Sequence, residues 1–198
     1  MHKIKITTVS RDCMDVKEAI DKRRAYRSLD PIKITPEIID SMAESAKLSP
    51  SCFNNQPWRF IFVTDTDVLE NMHSALSKGN EWAKTASMII VVISKKENDC
   101  VIGSREYYLF DTGMATAFII LRATEIGLVA HPIAGYSPKK TREILGIPEE
   151  FNVIALVIVG KHSSKMNPLM TESQKIVEKE RPERLKINEF VHLNKYHE

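Results

Sequence analysis

The chain has 198 residues, 43% of them hydrophobic, and 28 Lys+Arg stand against 26 Asp+Glu. That length and composition fit one domain with a sizeable core and exclude a disordered or fibrous chain. A net charge of +2 gives no reason to expect nucleic acid or an anionic membrane as a partner. The three cysteines, Cys13, Cys52 and Cys100, form no CxxC and stand far apart. They argue against a disulfide-stapled secreted protein and for a reducing, cytoplasmic setting. The opening MHKIKITTVSRDCMD lacks the apolar centre of a signal peptide, and runs such as MIIVVI are too short to span a bilayer.

In chain order, residues 15–28 predict a helix, with Val16, Ala19 and Ile20 on one face, Asp12 or Asp15 as cap and Asp30-Pro31 as stop. TPEIIDSMAESAKL is a second helix, with Thr35 at the N-cap, Pro36 at the first position, and Ile38, Met42 and Ala46 repeating every four. After the loop SPSCFNNQPW come a strand (RFIFVTD), a helix (DVLENMHSALSK) and a buried strand over 88–94. Residues 104–126 form the longest helical pattern, striped by Phe110, Met114, Ala117, Leu121 and Glu125, and Gly127 stops it. LVAHPIAGY reads as a strand and turn, SPKKTREILG as a capped helix, and residues 151–160 as a second buried strand. The tail, 161–198, is polar and charged with a helix near 171–181; it could not fold alone and is expected to wrap another surface, such as a partner subunit. This order predicts a single layered α+β or α/β domain. No GxGxxG or GxxxxGK[ST] follows a strand, so Rossmann and P-loop nucleotide sites are not supported.

Three stretches carry candidate chemistry. In DKRRAYRS, Arg23 and Arg27 are four apart with Arg24 between them, a spacing at which guanidinium forks can grip a phosphate. The alternative is cations in a last helical turn, each worth about 0.3–1 kcal/mol against the helix dipole without any ligand. In the loop, Ser51, Asn54, Asn55 and Gln56 can donate and accept in the plane of a heterocycle, stiffened by Pro50 and Pro57; the alternative is a turn that satisfies its own backbone. In HPIAGY, Pro132 followed by small residues lets backbone approach a ligand edge, or simply ends a strand. The six histidines form no metal-binding pattern, so no metal is expected. Cys52 reads as a small buried thiol more readily than as a nucleophile, since nothing in sequence identifies a histidine partner.

Together, AIDKRRAYRSLDPIKIT and AKLSPSCFNNQPWRFIFVTD resemble the nitroreductase family of flavin mononucleotide (FMN) enzymes. The second motif is present as Pro50, Ser51, Asn54, Gln56, Pro57 and Trp58. The long helix, the segment around HPIAGY, LGIPE, NVIALVIVG and the closing RLKINEFVHLNKY are similar to later parts of that family, so the resemblance covers nearly the whole chain. It implies an α/β/α sandwich, α+β in class, with a mainly antiparallel mixed sheet and a homodimer that exchanges termini and buries the long helix.

It also implies roles. Arg23, Arg24 and Arg27 would hold the FMN phosphate and ribityl chain, with Ala25 touching it through backbone and Arg181 and Arg184 completing the site from the tail. Pro50, Ser51, Cys52, Asn54 and Gln56 would line the ring from the other subunit, and Pro132, Ile133, Ala134 and Gly135 would meet its edge. No side chain would be catalytic, because the flavin carries the chemistry. The implied activity is ping-pong hydride transfer from NAD(P)H through the flavin to a nitroaromatic, quinone or similar acceptor. A noncatalytic FMN carrier, or a member with dehalogenating or flavin-degrading chemistry, stays open at this point. Ala25 and Cys52 stand where serine is usual or frequent, and the segment from Gly160 to Arg181 is longer than in compact members.

Overall fold

The structure is a computed structural model that describes residues 14–197. The candidate cap Asp12, the third cysteine Cys13 and the rest of the N-terminal segment lie outside the described residues.

The strands are β1 (Leu29–Asp30), β2 (Arg59–Val63), β3 (Met88–Ser94), β4 (Val101–Ile102), β5 (Arg105–Glu106), β6 (Val129–Ile133) and β7 (Asn152–His162). The helices are α1 (Val16–Lys22), α2 (Pro36–Lys47), α3 (Thr66–His73), α4 (Tyr108–Glu125), α5 (Pro138–Leu145) and α6 (Glu172–Lys179). Strand β7 is the hub. It pairs with β3 along one edge and β6 along the other, and carries β1 at its C-terminal end; β2 pairs outside β3. Every pairing among the described residues is antiparallel, so the mixed character expected of the sheet does not occur there.

All seven residues of β3 are buried, because both faces of the sheet are covered. Ile89, Val91 and Ile93, with Leu156 and Ile158 of β7, pack on the side of Met72 and Trp82. Met88, Ile90 and Val92, with Val157 and Val159, pack on the side of Met42, Ala115, Ile119 and Ala123, which belong to α2 and α4. Successive side chains point to opposite faces, so one continuous apolar run feeds two cores. Each buried Ile or Leu contributes about 1.5–3 kcal/mol.

Three helices differ from their predicted form. Helix α3 ends at His73, short of the predicted Lys78. Helix α1 stops at Lys22, not at residue 28. Helix α4 buries Tyr108, Asp111, Thr112, Ala115, Thr116, Ile119 and Ala123, whereas Phe110 and Ala117 of the predicted stripe face outward. Both faces of α4 carry apolar residues, and periodicity alone selected the wrong one as the inner face. Helix α5 follows its sequence signals closely: Ser137 Oγ accepts from the Lys140 N–H, Pro138 begins the helix, and Gly146 ends it at φ 63°. Among the described residues, no helix is long and apolar enough to cross a membrane.

Candidate functional site

Beyond Lys22 the chain leaves helical geometry, with Arg23 at φ −56°, ψ 122°. The helix-dipole account therefore does not reach Arg24 or Arg27, and Arg23 and Arg27 share no helix face. Tertiary hydrogen bonds take the place of helical ones. The buried Glu178 carboxylate accepts from the backbone N–H groups of Arg27 and Ser28, both at 2.8 Å. Asn167 donates through Nδ2 to the Arg27 carbonyl at 3.2 Å.

Held this way, Arg23, Arg24, Ala25 and Arg27 line one cleft of about 230 Å³ with Arg181 and Arg184. The arginines divide by role. Arg24 donates to the Val177 and Glu178 carbonyls (2.8 and 3.2 Å) and lies over the Tyr26 ring, so it pins the tail. Arg181 donates to the Asp21 and Arg23 carbonyls at 2.6 and 2.9 Å. The guanidinium groups of Arg23, Arg27 and Arg184 have no ion-pair partner among the described residues. Arg27 Nε is buried without any hydrogen-bond partner. Burial depresses the pKa of Arg23, and its neighbours Arg181, Arg184 and Arg24 depress it further. Burial also lowers Arg27, against the opposing pull of Glu178. An unpaired buried donor at Arg27 and like charges crowded around Arg23 are both costly, and a bound anion removes both costs.

The 132–135 segment adjoins this cleft. Arg27 lies over the Trp82 ring, and Trp82 stacks on His131 of β6 with ring centroids 4.7 Å apart. His131 Nδ1 lies 3.0 Å from the Tyr26 carbonyl, which can only accept, so the neutral ring carries its proton there. Burial lowers the His131 pKa to about 4, and the Tyr26 carbonyl partly opposes this. Pro132 and Ala134 are exposed. Ile133 instead turns its side chain into the core, so only its backbone can serve a ligand. The Gly135 carbonyl accepts from Ser77 N–H (3.0 Å) and Asn80 Nδ2 (2.9 Å), while Trp82 Nε1 donates to Asn80 Oδ1 at 3.2 Å. The Ala134 carbonyl accepts from the Tyr136 N–H, and the N–H groups of Ala134 and Gly135 donate to no described residue.

The loop 49–57 stands elsewhere. Phe53, Asn54 and Gln56 all have positive φ (49°, 59° and 50°). Such backbone costs of order 1–3 kcal/mol per residue, less for Asn, and persists only where surroundings enforce it. Here Ser51 Oγ accepts from the Gln56 N–H at 3.0 Å, the Cys52 N–H donates to Asp111 Oδ2 at 2.6 Å, and Asn55 Nδ2 donates to Asp99 Oδ1 at 3.3 Å. Ser51 thus serves its own loop, as the turn alternative has it, while the Phe53 ring is 84% exposed and Asn54 faces outward. Burial raises the Asp111 carboxyl above its ordinary value, the Cys52 N–H opposes that, and neighbouring Asp99 adds to it.

Cys52 and Cys100 are joined as a disulfide, with Cα atoms 6.2 Å apart. This corrects the reading of Cys52 as a small buried thiol: the residue is half-buried and bonded. The 48 residues between the two conceal the pairing from any spacing rule.

The arginine cleft and the loop lie at opposite ends of β7. Ser28 bonds to Ser163, just past the C-terminal end of β7, whereas Pro57 bonds to Ser94, which pairs with Asn152 at its N-terminal end. Eleven residues of strand separate these ends by about 33 Å. One chain does not bring all the predicted site residues together. Sequence reading also missed Glu178, Asn167 and Asn80. Their partners are 55 to 151 residues distant, and a lone Glu or Asn in a polar stretch carries no local signal.

Residues 20–161 match the model of the Nitroreductase family. A protein of Archaeoglobus fulgidus, assigned provisionally as an NADH dehydrogenase/NAD(P)H nitroreductase, is 31% identical over 142 residues, covering 70% of this chain and 80% of its own. An oxygen-insensitive NADPH nitroreductase of Helicobacter pylori (strain J99) is 24% identical over 196 residues, covering 80% and 92%. A solved structure described as an oxidoreductase containing FMN superposes with a TM-score of 0.77 at 26% identity, covering 90% of this chain and 91% of the other.

Proposed function

Because the chain belongs to the nitroreductase family, we propose that it is an FMN-dependent oxidoreductase that takes electrons from NADH or NADPH and passes them to a nitroaromatic, quinone or similar acceptor. The observation that carries this reading is the arginine cleft, where Arg23, Arg27 and Arg184 make no ion pair among the described residues and Arg27 Nε is buried without a partner. That donor set fits the dianionic phosphate of FMN.

Arg27 and Arg23 bind the phosphate, Arg184 reaches it from the tail, and Arg24 and Arg181 keep tail and cleft together. The free N–H groups of Ala134 and Gly135 are the donors available to the flavin edge, and Asn80 and Ser77 fix the Gly135 carbonyl beside them. Bound FMN supplies reversible hydride acceptance and release, so donor and acceptor use one site in turn. The residues around it position and tune; none needs to act as acid or base.

The same reading makes the protein a homodimer. The 49–57 loop lies too far along β7 to reach a mononucleotide held by its own arginine cleft, and a second copy can supply it. Val16, Leu48 and Phe118 border an exposed apolar groove beside α1, α2 and α4, and the tail exposes Leu185, Ile187, Phe190 and Leu193. Surfaces of this kind are suited to subunit contact.

The test is a visible absorption spectrum of the purified protein, before and after NADH or NADPH under argon. Flavin bands that bleach support the proposal. Bands that persist point to another donor or a carrier. No flavin after incubation with FMN sinks it.

A further inference from the structure

We infer that Cys52 and Cys100 form a reversible thiol–disulfide exchange site, whose substrates are low-molecular-weight thiols and disulfides, and that it latches the 49–57 loop. Three observations carry this. The Cα separation of 6.2 Å is one that a disulfide spans without moving backbone. In the single chain both cysteines are half-buried, in surface segments rather than in either core, so a small thiol reaches them there and the fold does not hang on the bond. The bond also joins two segments already held together, since Asn55 donates to Asp99 beside Cys100, and the Cys52 N–H anchors the loop separately to Asp111 of α4. Opening it therefore leaves the loop's hydrogen bonds to Asp111, Asp99 and Ser94 in place and the chain folded.

The loop is the element with most to lose. Its positive-φ residues Phe53, Asn54 and Gln56 follow Cys52 directly, and such backbone relaxes when its surroundings loosen. In a reducing setting a disulfide of this kind is a redox sensor more often than a staple. Reduction proceeds by exchange. A thiolate attacks one sulfur of the Cys52–Cys100 bond, forming a mixed disulfide and freeing the other cysteine. A second thiolate then attacks the external sulfur of that mixed disulfide, releasing the small disulfide and the second cysteine. Two electrons pass from two external thiols to the cystine, and both cysteines end as thiols. Asp99 Oδ1 lies 3.6 Å from Cys100 Sγ, and Asp99 and the two cysteines present donor atoms within 4.8 Å of one another. A thiolate–carboxylate metal site is thus the competing use of the same atoms, but sulfurs bonded to each other are not two thiolate ligands.

Any consequence for the flavin rests on the function proposed above; the exchange site does not. The test uses the full chain carrying Cys13→Ser, so that two cysteines remain. Protein treated with glutathione disulfide is denatured in alkylating agent, digested with trypsin and weighed. Peptides 48–59 and 97–105 are expected as one linked species, separating after reduced glutathione is added to the folded protein. Amide exchange over 51–56 is expected to quicken about tenfold on reduction, while 138–145 stays unchanged. The Cys52→Ser/Cys100→Ser variant should exchange at the fast rate in either condition. Alkylation of both cysteines after the oxidant, a bond that folded protein never yields to glutathione, stoichiometric zinc on unlinked cysteines, or loop exchange indifferent to reduction would each overturn the inference. All these readings are made whether or not flavin is bound.

Discussion

Arg27 sits where three distant segments meet. Its backbone is held by Glu178 and Asn167, its guanidinium lies over Trp82, and its Nε has no partner. Charge-assisted hydrogen bonds to a phosphate are worth about 1.5–3 kcal/mol each. Arg23→Ala with Arg27→Ala is therefore expected to weaken FMN binding at least about tenfold, read by flavin fluorescence titration. Unchanged affinity in that variant would refute the phosphate assignment. His131 gives a second residue-scale expectation. Its folded pKa of about 4 lies below the ordinary 6.5, so between these values the unfolded chain binds the extra proton. Stability contributed by the neutral ring is fully present above pH 6.5 and is lost as pH falls toward 4, by about 3 kcal/mol at most. Urea midpoints at pH 7 and pH 5 should differ in that direction, and His131→Phe, which keeps an aromatic ring on Trp82, should shrink the difference.

At the scale of elements, the turn after β6 is set by packing against the 77–82 segment. The Gly135 carbonyl accepts from Ser77 and Asn80, and a Cβ on Gly135 would collide with the Asn80 amide. The need for glycine is one of space, since its φ is not in the left-handed region. Gly135→Ala should cost about 1–3 kcal/mol as the Asn80 clamp is displaced. Thermal denaturation measures it, and an unaltered midpoint would show that the clamp yields freely. The existence and type of the long elements were legible beforehand: β3, β7, α2 and α5 appear close to where periodicity and capping residues place them. The end of α1 was not, because Glu178 and the tail carbonyls compete for the 23–28 segment from 150 residues away.

For the whole molecule, the outward apolar face of α4 and the length of β7 both bear on assembly. Phe118→Asp puts a charge into the apolar groove it lines with Val16 and Leu48. In a homodimer built on that face the variant should sediment as a monomer and lose most of its flavin on dilution. A variant that stays dimeric would place the interface elsewhere.

By itself the sequence determined a layered domain of helices and strands (α+β or α/β), the two buried strands and the identity of the arginine cluster. Each depends on neighbours in the chain: apolar runs, caps, and cations within five residues of one another. Tertiary structure alone decided which arginines are free and which are spent on carbonyls. It also decided which face of α4 is buried, that Cys52 meets Cys100, and that the loop and the cleft stand at opposite ends of β7. The physical reason is the same in each case. A guanidinium, a thiol or an apolar stripe has several possible partners of equal local merit, and only the packing of distant segments selects among them.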